Sequence, residues 1–301
     1  MSKQNFKIRV PATTANLGSG FDCMGIALNL YNYFEVSISD NNKIYWFGSE
    51  KTEWLPRSEQ NLIHQSIRKV FEYANKELIY TDIKSEINIP VSRGLGSSSS
   101  AIIAGVFIGN QLLGNTLTNN ELINIANEIE GHPDNITPCL FGGITSSIVD
   151  NKKVHINKIN NNSSLKFIFL IPEFQLSTKE ARKVLPSNVS FSDAVFNLSR
   201  VSFLVEGFSK NNPELIKLGL QDKLHEQYRS KLIKGFYELR EKAIELGALN
   251  LVISGAGPTL LIITENNEKE IAESLKFQWK EMGINSYYHL LNIDTEGAKI
   301  I

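Results

Sequence analysis

A chain of 301 residues is longer than most single domains and can bury a substantial core, so two closely packed domains or one large one are expected. Apolar residues make up 42% and charged residues 21%, with a net charge of -1, which excludes a polyelectrolyte surface built for nucleic acid or an anionic membrane. Cys23 and Cys139 lack metal-site spacing and read as free, buried thiols, and no apolar leader or bilayer-length run is present, so a reducing, cytoplasmic location is expected.

NFKIRVPATTAN opens with a short strand expected to stop at Pro11, because proline donates nothing to a ladder, and ATTANLGSGFDCMG follows as a loop. IALNLYNYFEVSIS and NKIYWFG, rich in β-branched and aromatic residues, are expected to pair as a hairpin across the DNN turn. Leu62, Ile63, Ile67, Val70, Phe71 and Ala74 share one face of a helix that Asn61 opens. Ile83, Ser85, Ile87 and Ile89 alternate with Lys84, Glu86 and Asn88, the period of a half-buried strand. PVSRGLGSSSSA, Pro90 to Ala101, joins this strand to an apolar helix that closes near Gly114. Thr118 and Glu121 form a capping box ahead of Leu122, Ile125, Ala126 and Ile129, and that helix runs out at the polar turn EIEGHPDN.

The low-complexity stretch DNKKVHINKINNNSS, residues 150–164, marks the expected boundary, which divides the chain into 1–155 and 156–301. LKFIFLI then reads as a strand, and Ser177 with Glu180 caps a helix that Pro186 ends. Helical patterns cover about Ser192 to Ser209, Pro213 to Lys234 and Gly235 to Leu246. ALNLVISGAGPTLLIIT is two apolar strands around a glycine turn. Strands and helices intermix without regular βαβ alternation, which argues for an α+β architecture.

Two glycines and four serines at a strand-to-helix junction suit an anion: the helix start presents free N–H groups, and glycine lets the backbone approach a phosphate. No lysine follows as in Walker A, and the dinucleotide GxGxxG pattern is absent. A glycine-permitted turn before a serine-capped helix explains the same string without a ligand, so both readings stand at this point. Three further clusters bear on them: PATTANLGSGFDCMGIAL with the carboxylate Asp22, EIEGHPDN with Glu128 and Glu130 as magnesium-type oxygen donors, and the SGAGPT turn.

PATTANLGSGFDCMG, PVSRGLGSSSSA and LVISGAGPTLL, in that order, resemble the three signature motifs of the GHMP kinase superfamily. EGHPDNITPCLFGG, STKEARKVLP, DKLHEQYR and the ending IDTEGAKI are similar to its homoserine kinase family, so the resemblance spans essentially the whole chain. It implies a GHMP kinase-like fold, with an N-terminal domain like ribosomal protein S5 domain 2 and a ferredoxin-like C-terminal domain. The implied reaction is ATP-dependent, magnesium-assisted phosphorylation of the L-homoserine hydroxyl, a step of threonine biosynthesis, by a homodimer. A GHMP kinase for another small alcohol and an inactive nucleotide-binding regulator of the same fold are the alternatives.

On this resemblance the ATP phosphates fall to Pro90, Val91, Ser92, Arg93, Gly94, Leu95, Gly96, Ser97, Ser98, Ser99 and Ser100, and Asn61 lies on the adenine side while serving as a helix cap. Arg182 and Arg229 match the positions that bind the substrate carboxylate, a task suited to a planar guanidinium. Asp22 faces the ammonium group and Asn16 the hydroxyl, with His132, Thr178 and Gly255 completing the substrate site. Glu128 is the first choice for the metal, with Glu130 as the alternative, and Ser98 is the serine choice within a run whose register is open. Asp134 is a candidate base, but the family resemblance implies that transition-state electrostatics outweigh any base. Cys23 reads as a packed residue, since nothing beside it lowers a thiol pKa.

Overall fold

The structure is a computed structural model and describes residues 5–50, 55–160 and 164–301. β1 (Phe6–Asn16) and β2 (Gly20–Ile38) form a long antiparallel hairpin whose turn is only residues 17–19. The expected stop at Pro11 is therefore corrected. The strand runs through the proline because the register shifts between Pro11 and Ala12, so the missing N–H falls at a bulge. Most of the expected loop after it is strand as well.

The expected hairpin between β2 and β3 (Lys43–Gly48) does not form. Helix α1 (Leu62–Tyr73) carries the chain over, and β4 (Thr81–Ile87) inserts between them, antiparallel to β2 and parallel to β3. The burial pattern gives the reason: β4 buries Thr81, Ile83, Ser85 and Ile87 at alternate positions, whereas β3 buries Ile44 alone and takes the sheet edge.

α2 (Ser97–Leu112) and α3 (Asn119–Glu130) pack with α1 on this sheet, where Ile8, Val10, Phe34 and Ile83 meet Ile67, Phe71, Ile103 and Leu122 in one core. The capping box of Thr118 and Glu121 forms as expected. A short α4 (Ile136–Phe141) follows the EIEGHPDN turn, then β5 (Ile144–Asp150) pairs with β2. β6 (Lys153–Ile159) pairs with β5, so the polar stretch read as a separator contains a strand, with Val154 and Ile159 buried beneath exposed lysines. Residues 161–163 of that stretch lie outside the described residues.

The second sheet is antiparallel with order β10-β7-β9-β8, formed by β7 (Lys166–Pro172), β8 (Asn250–Ile253), β9 (Leu260–Thr264) and β10 (Ser286–Leu291). This is the strand order of the ferredoxin-like fold, with helical connections after its first and third strands. β7 shows why LKFIFLI is apolar throughout. Phe167, Phe169 and Ile171 face a core shared with Met24, Ile26 and Leu28 of β2, while Ile168 and Leu170 face α9 (Phe236–Glu245) and α10 (Glu268–Glu281).

Between β7 and β8 the chain forms α5 (Thr178–Lys183), capped by Ser177 and Glu180, and then α6 (Phe191–Lys210). The helix expected over Pro213 to Lys234 is broken into α7 (Pro213–Gly219), α8 (Glu226–Arg229) and a single 3₁₀ turn, Ser230–Leu232. Asp222 causes the break: one carboxylate oxygen accepts from the N–H groups of Leu224, His225 and Glu226, offering the backbone a turn in place of a helix. The chain ends back on the first sheet, where β11 (Lys299–Ile300) pairs with β1 and Asp294 accepts from the Tyr31 hydroxyl at 2.8 Å. Among the described residues no helix is long and apolar enough to cross a membrane.

Trp279 is fully buried against α9 and donates from Nε1 to Lys234 O at 2.8 Å. Trp279→Ala is expected to lower unfolding stability by about 3–5 kcal/mol, read by urea denaturation.

Candidate active site

Three segments distant in sequence meet closely. Thr13 N donates to Leu95 O at 3.2 Å, Gly255 N donates to Ala15 O at 3.0 Å, and Ser254 Oγ donates to Gly94 O at 2.7 Å. Gly94 and Gly96 allow the approach: both have positive φ, and a Cβ would stand 2.3 Å from Ser254 O at Gly94 and 2.0 Å from Thr13 Oγ1 at Gly96. The cleft they border has a volume of about 360 Å³.

Gly96 is the left-handed N-cap of α2 and supplies no side-chain cap, so the first N–H groups of a 16-residue helix are left for a ligand. Val91, Ser92, Arg93, Gly94, Gly96, Ser97, Ser98 and Ser99 line the cleft. Pro90, Leu95 and Ser100 are instead buried behind it, and Ser100 Oγ accepts from Asn32 Nδ2 at 3.2 Å. The Arg93 guanidinium is anchored to protein, donating to Pro172 O at 3.1 Å and Glu173 O at 3.0 Å and pairing with Glu50 at 3.3 Å. It ties the loop to the end of β7.

The two candidate metal carboxylates separate. Glu130 accepts from Ser98 Oγ at 3.1 Å and Ser99 Oγ at 2.8 Å, in the cleft. Glu128, the first choice from sequence, is turned to the surface and pairs with Lys69 at 3.3 Å. Residues two apart on a helix point about 200° from one another, and the rotation of α3 gives the cleft to Glu130.

Asn16, Asp22, His132, Asp134, Thr178, Arg182, Arg229 and Gly255 all line the same cleft. Asp22 holds Arg182 through both oxygens, at 2.6 and 3.0 Å. Asn16 is engaged at both ends, donating to Gly255 O at 2.6 Å and accepting from Asp22 N at 2.9 Å. His132 Nδ1 lies 2.6 Å from Asp134 Oδ1, and Asp134, 2% exposed, also accepts from Asn135 N at 2.9 Å. Burial works against the His132 imidazolium, but the bond to Asp134 and the charges of Asp134 and Glu130 outweigh it and raise the pKa.

Arg229 is 1% exposed, and among the described residues its side chain donates only to carbonyls, Ala181 O and Gly255 O, each at 3.2 Å. Among the described residues it forms no ion pair. Burial, and then the neighbouring Arg182 charge, pull its pKa down to about 10, which still leaves a cation at neutral pH. A buried cation without a counter-ion, facing a cleft, calls for an anionic ligand.

Asn61 caps α1, accepting from Ile63 N at 2.9 Å, and stands beside an apolar part of the lining that includes Phe34, Trp46, Pro56 and Leu62. Sequence reasoning passed over Trp46 and Pro56, which carry no motif; Trp46 lies in β3, and only the fold brings it into the lining with Asn61.

GHMP kinases N terminal domain and GHMP kinases C terminal are the family models that match, over residues 61–143 and 204–281. The chain belongs to the GHMP kinase family. Within it the relatives are homoserine kinases: the chain is 43% identical over 298 residues to the homoserine kinase of Clostridium beijerinckii, covering 98% of each. It is 38% identical over 296 residues to that of Desulfitobacterium hafniense, covering 98% of this chain and 99% of the other. The crystal structure of homoserine kinase from Cytophaga hutchinsonii superposes with a TM-score of 0.89 at 30% identity, covering 100% of this chain and 98% of that one.

Burial, followed by the Asp134 and Asp22 charges, pushes the Cys23 thiol up to about 11. At pH 8 only about one molecule in a thousand then carries the thiolate. Iodoacetamide is expected to alkylate the native protein far more slowly than free cysteine, with the Cys23 rate rising about tenfold per pH unit, as read by intact mass spectrometry.

Proposed function

We propose that this cleft transfers the γ-phosphoryl group of ATP to the side-chain hydroxyl of L-homoserine. The observation that carries the substrate assignment is Arg229, a buried cation whose side-chain hydrogen bonds among the described residues go only to carbonyl oxygens. With Arg182 beside it the site takes a carboxylate, and Asp22 balances an adjacent ammonium group, so a zwitterionic amino acid matches its charges.

The uncapped start of α2 takes phosphate oxygens on its N–H groups, favoured by the positive end of the helix dipole, and the apolar lining near Asn61 and Trp46 takes the base. Ser98 and Glu130 offer hydroxyl and carboxylate oxygens within 3.1 Å of each other, a donor set that suits Mg²⁺. Bound there, the ion would neutralise charge on the transferring phosphoryl group. The protein itself supplies placement: loose phosphoryl transfer needs the acceptor oxygen aligned and charge compensated more than it needs covalent help. Asp134, committed to His132 and Asn135, is assigned to shaping the substrate side, and transition-state electrostatics carry the rate.

The working division follows the domains proposed at 1–155 and 156–301. The first half contributes the phosphate site with Asn16 and Asp22, and the second contributes Thr178, Arg182, Arg229 and Gly255. The family resemblance supports a homodimeric cytoplasmic enzyme of threonine biosynthesis.

Purified protein with Mg·ATP is expected to release ADP in response to homoserine and not to mevalonate, galactose or shikimate; ATP binding without homoserine-dependent turnover would instead mark a nucleotide-binding regulator. Arg229→Ala should raise the homoserine KM about tenfold to a hundredfold, the worth of a lost hydrogen bond to a charged group. Glu130→Gln is expected to raise the Mg²⁺ concentration needed for half-maximal turnover about tenfold or more, while Glu128→Gln leaves it at the wild-type level. Magnesium titrations of both variants read the contrast.

A further inference from the structure

Phe21 belongs to no hydrogen-bonding or charged set, yet the two substrate-site guanidinium groups converge on its ring. Arg229 Cζ lies 5.1 Å from the Phe21 centroid and Arg182 Cζ 5.9 Å. The two cations repel each other, and the one carboxylate in direct contact, Asp22, is committed to Arg182 through both oxygens. Arg229 is left with two carbonyls and the ring. An aromatic face is negative, so it attracts a cation without bringing a full charge that would compete with the ligand for it.

The ring is itself held in place. His225 stacks on it at 4.9 Å with an interplanar angle of 21°. His225 is fully buried, with Nε2 3.0 Å from Gly18 O, and its backbone N–H is captured by Asp222 at 2.8 Å. The turn just before Phe21 docks onto the end of α7, where Ser19 Oγ donates to Gly219 O at 2.6 Å and a Cβ on Gly18 would stand 2.0 Å from Leu220 O. The break between α7 and α8 therefore has a use: it sets the histidine under the phenylalanine, and the phenylalanine beside the arginines.

We propose that Phe21 is a positioning residue for the carboxylate anchor, its π-face holding Arg182 and Arg229 together so that both reach one ligand carboxylate. The inference rests on the homoserine assignment made above. Because the ring acts on ground-state binding, its loss raises the homoserine KM with kcat and the ATP KM nearly unchanged.

The test replaces Phe21 with 4-fluoro-, 3,5-difluoro- and 3,4,5-trifluorophenylalanine by nonsense suppression, which keeps the ring's shape while draining its negative face. The homoserine KM is expected to climb stepwise, reaching about threefold to tenfold in the trifluoro form, while the melting temperature, kcat and ATP KM stay near wild type. Phe21→Tyr should retain the wild-type KM and Phe21→Leu should lose at least as much as the trifluoro protein. An active wild type with a homoserine KM flat across the fluorinated series would overturn the positioning role alone. A wild type that releases no ADP with homoserine would overturn the substrate assignment, and this inference with it.

Discussion

Everything in this site depends on three segments coming close enough for each to hydrogen-bond the main chain of another. The β1–β2 hairpin, the glycine and serine loop before α2, and the turn between β8 and β9 are joined by main-chain bonds from Thr13 to Leu95 and from Gly255 to Ala15, and by the Ser254 hydroxyl on the Gly94 carbonyl. A side chain at Gly94 or Gly96 would stand where the neighbouring loop already is. The glycines before α2 thus serve the packing directly, and the same freedom from side chains leaves the backbone open to the phosphate proposed for it. Gly255 shows the coupling: its carbonyl accepts from both Asn16 and Arg229, tying a residue of each half to the same oxygen.

Charge is distributed across this frame unequally. Asp22 and Arg182 satisfy one another at the half-exposed mouth, where a strongly hydrated pair costs little to keep. Arg229 is charged, buried and unpaired by any carboxylate, an arrangement that costs stability in the empty protein and is relieved by an anion. Such a site stores its affinity in its own discomfort. Ser98, Ser99 and Glu130 show a milder form, with two hydroxyls engaging a carboxylate that oxygen-seeking ions also suit.

What could be read from the sequence was what neighbours in the chain decide for themselves. The capping boxes at Thr118 and Ser177 and the alternation over Ile83 to Ile87 are local, and each appears as read. β3 depended on a partner: its composition says strand, but only the insertion of β4 decides against a hairpin. Pro11 misled because a proline is harmless at a bulge, and bulges leave no mark in composition. The candidate residues were legible as neighbours, since Asn16, Asp22, Arg182 and Arg229, from β1, β2, α5 and α8, line one cleft. The choice between Glu128 and Glu130 was not, because it turns on the rotation of α3 about its own axis. Phe21 stood beside Asp22 in plain view, but a ring's role appears only when the cations around it are placed.

The last strand pairs with the first. Ile300 and Lys299 bond opposite Ile8 and Arg9, and Asp294 fastens the approach by accepting from Tyr31 and from the backbone of Glu296 and Gly297. The outer edge of β1 is therefore covered here by the short β11, without which its N–H and C=O groups would be open to pairing with other chains. Truncating even the last few residues would convert a closed edge into a sticky one while leaving every group in the cleft in the chain.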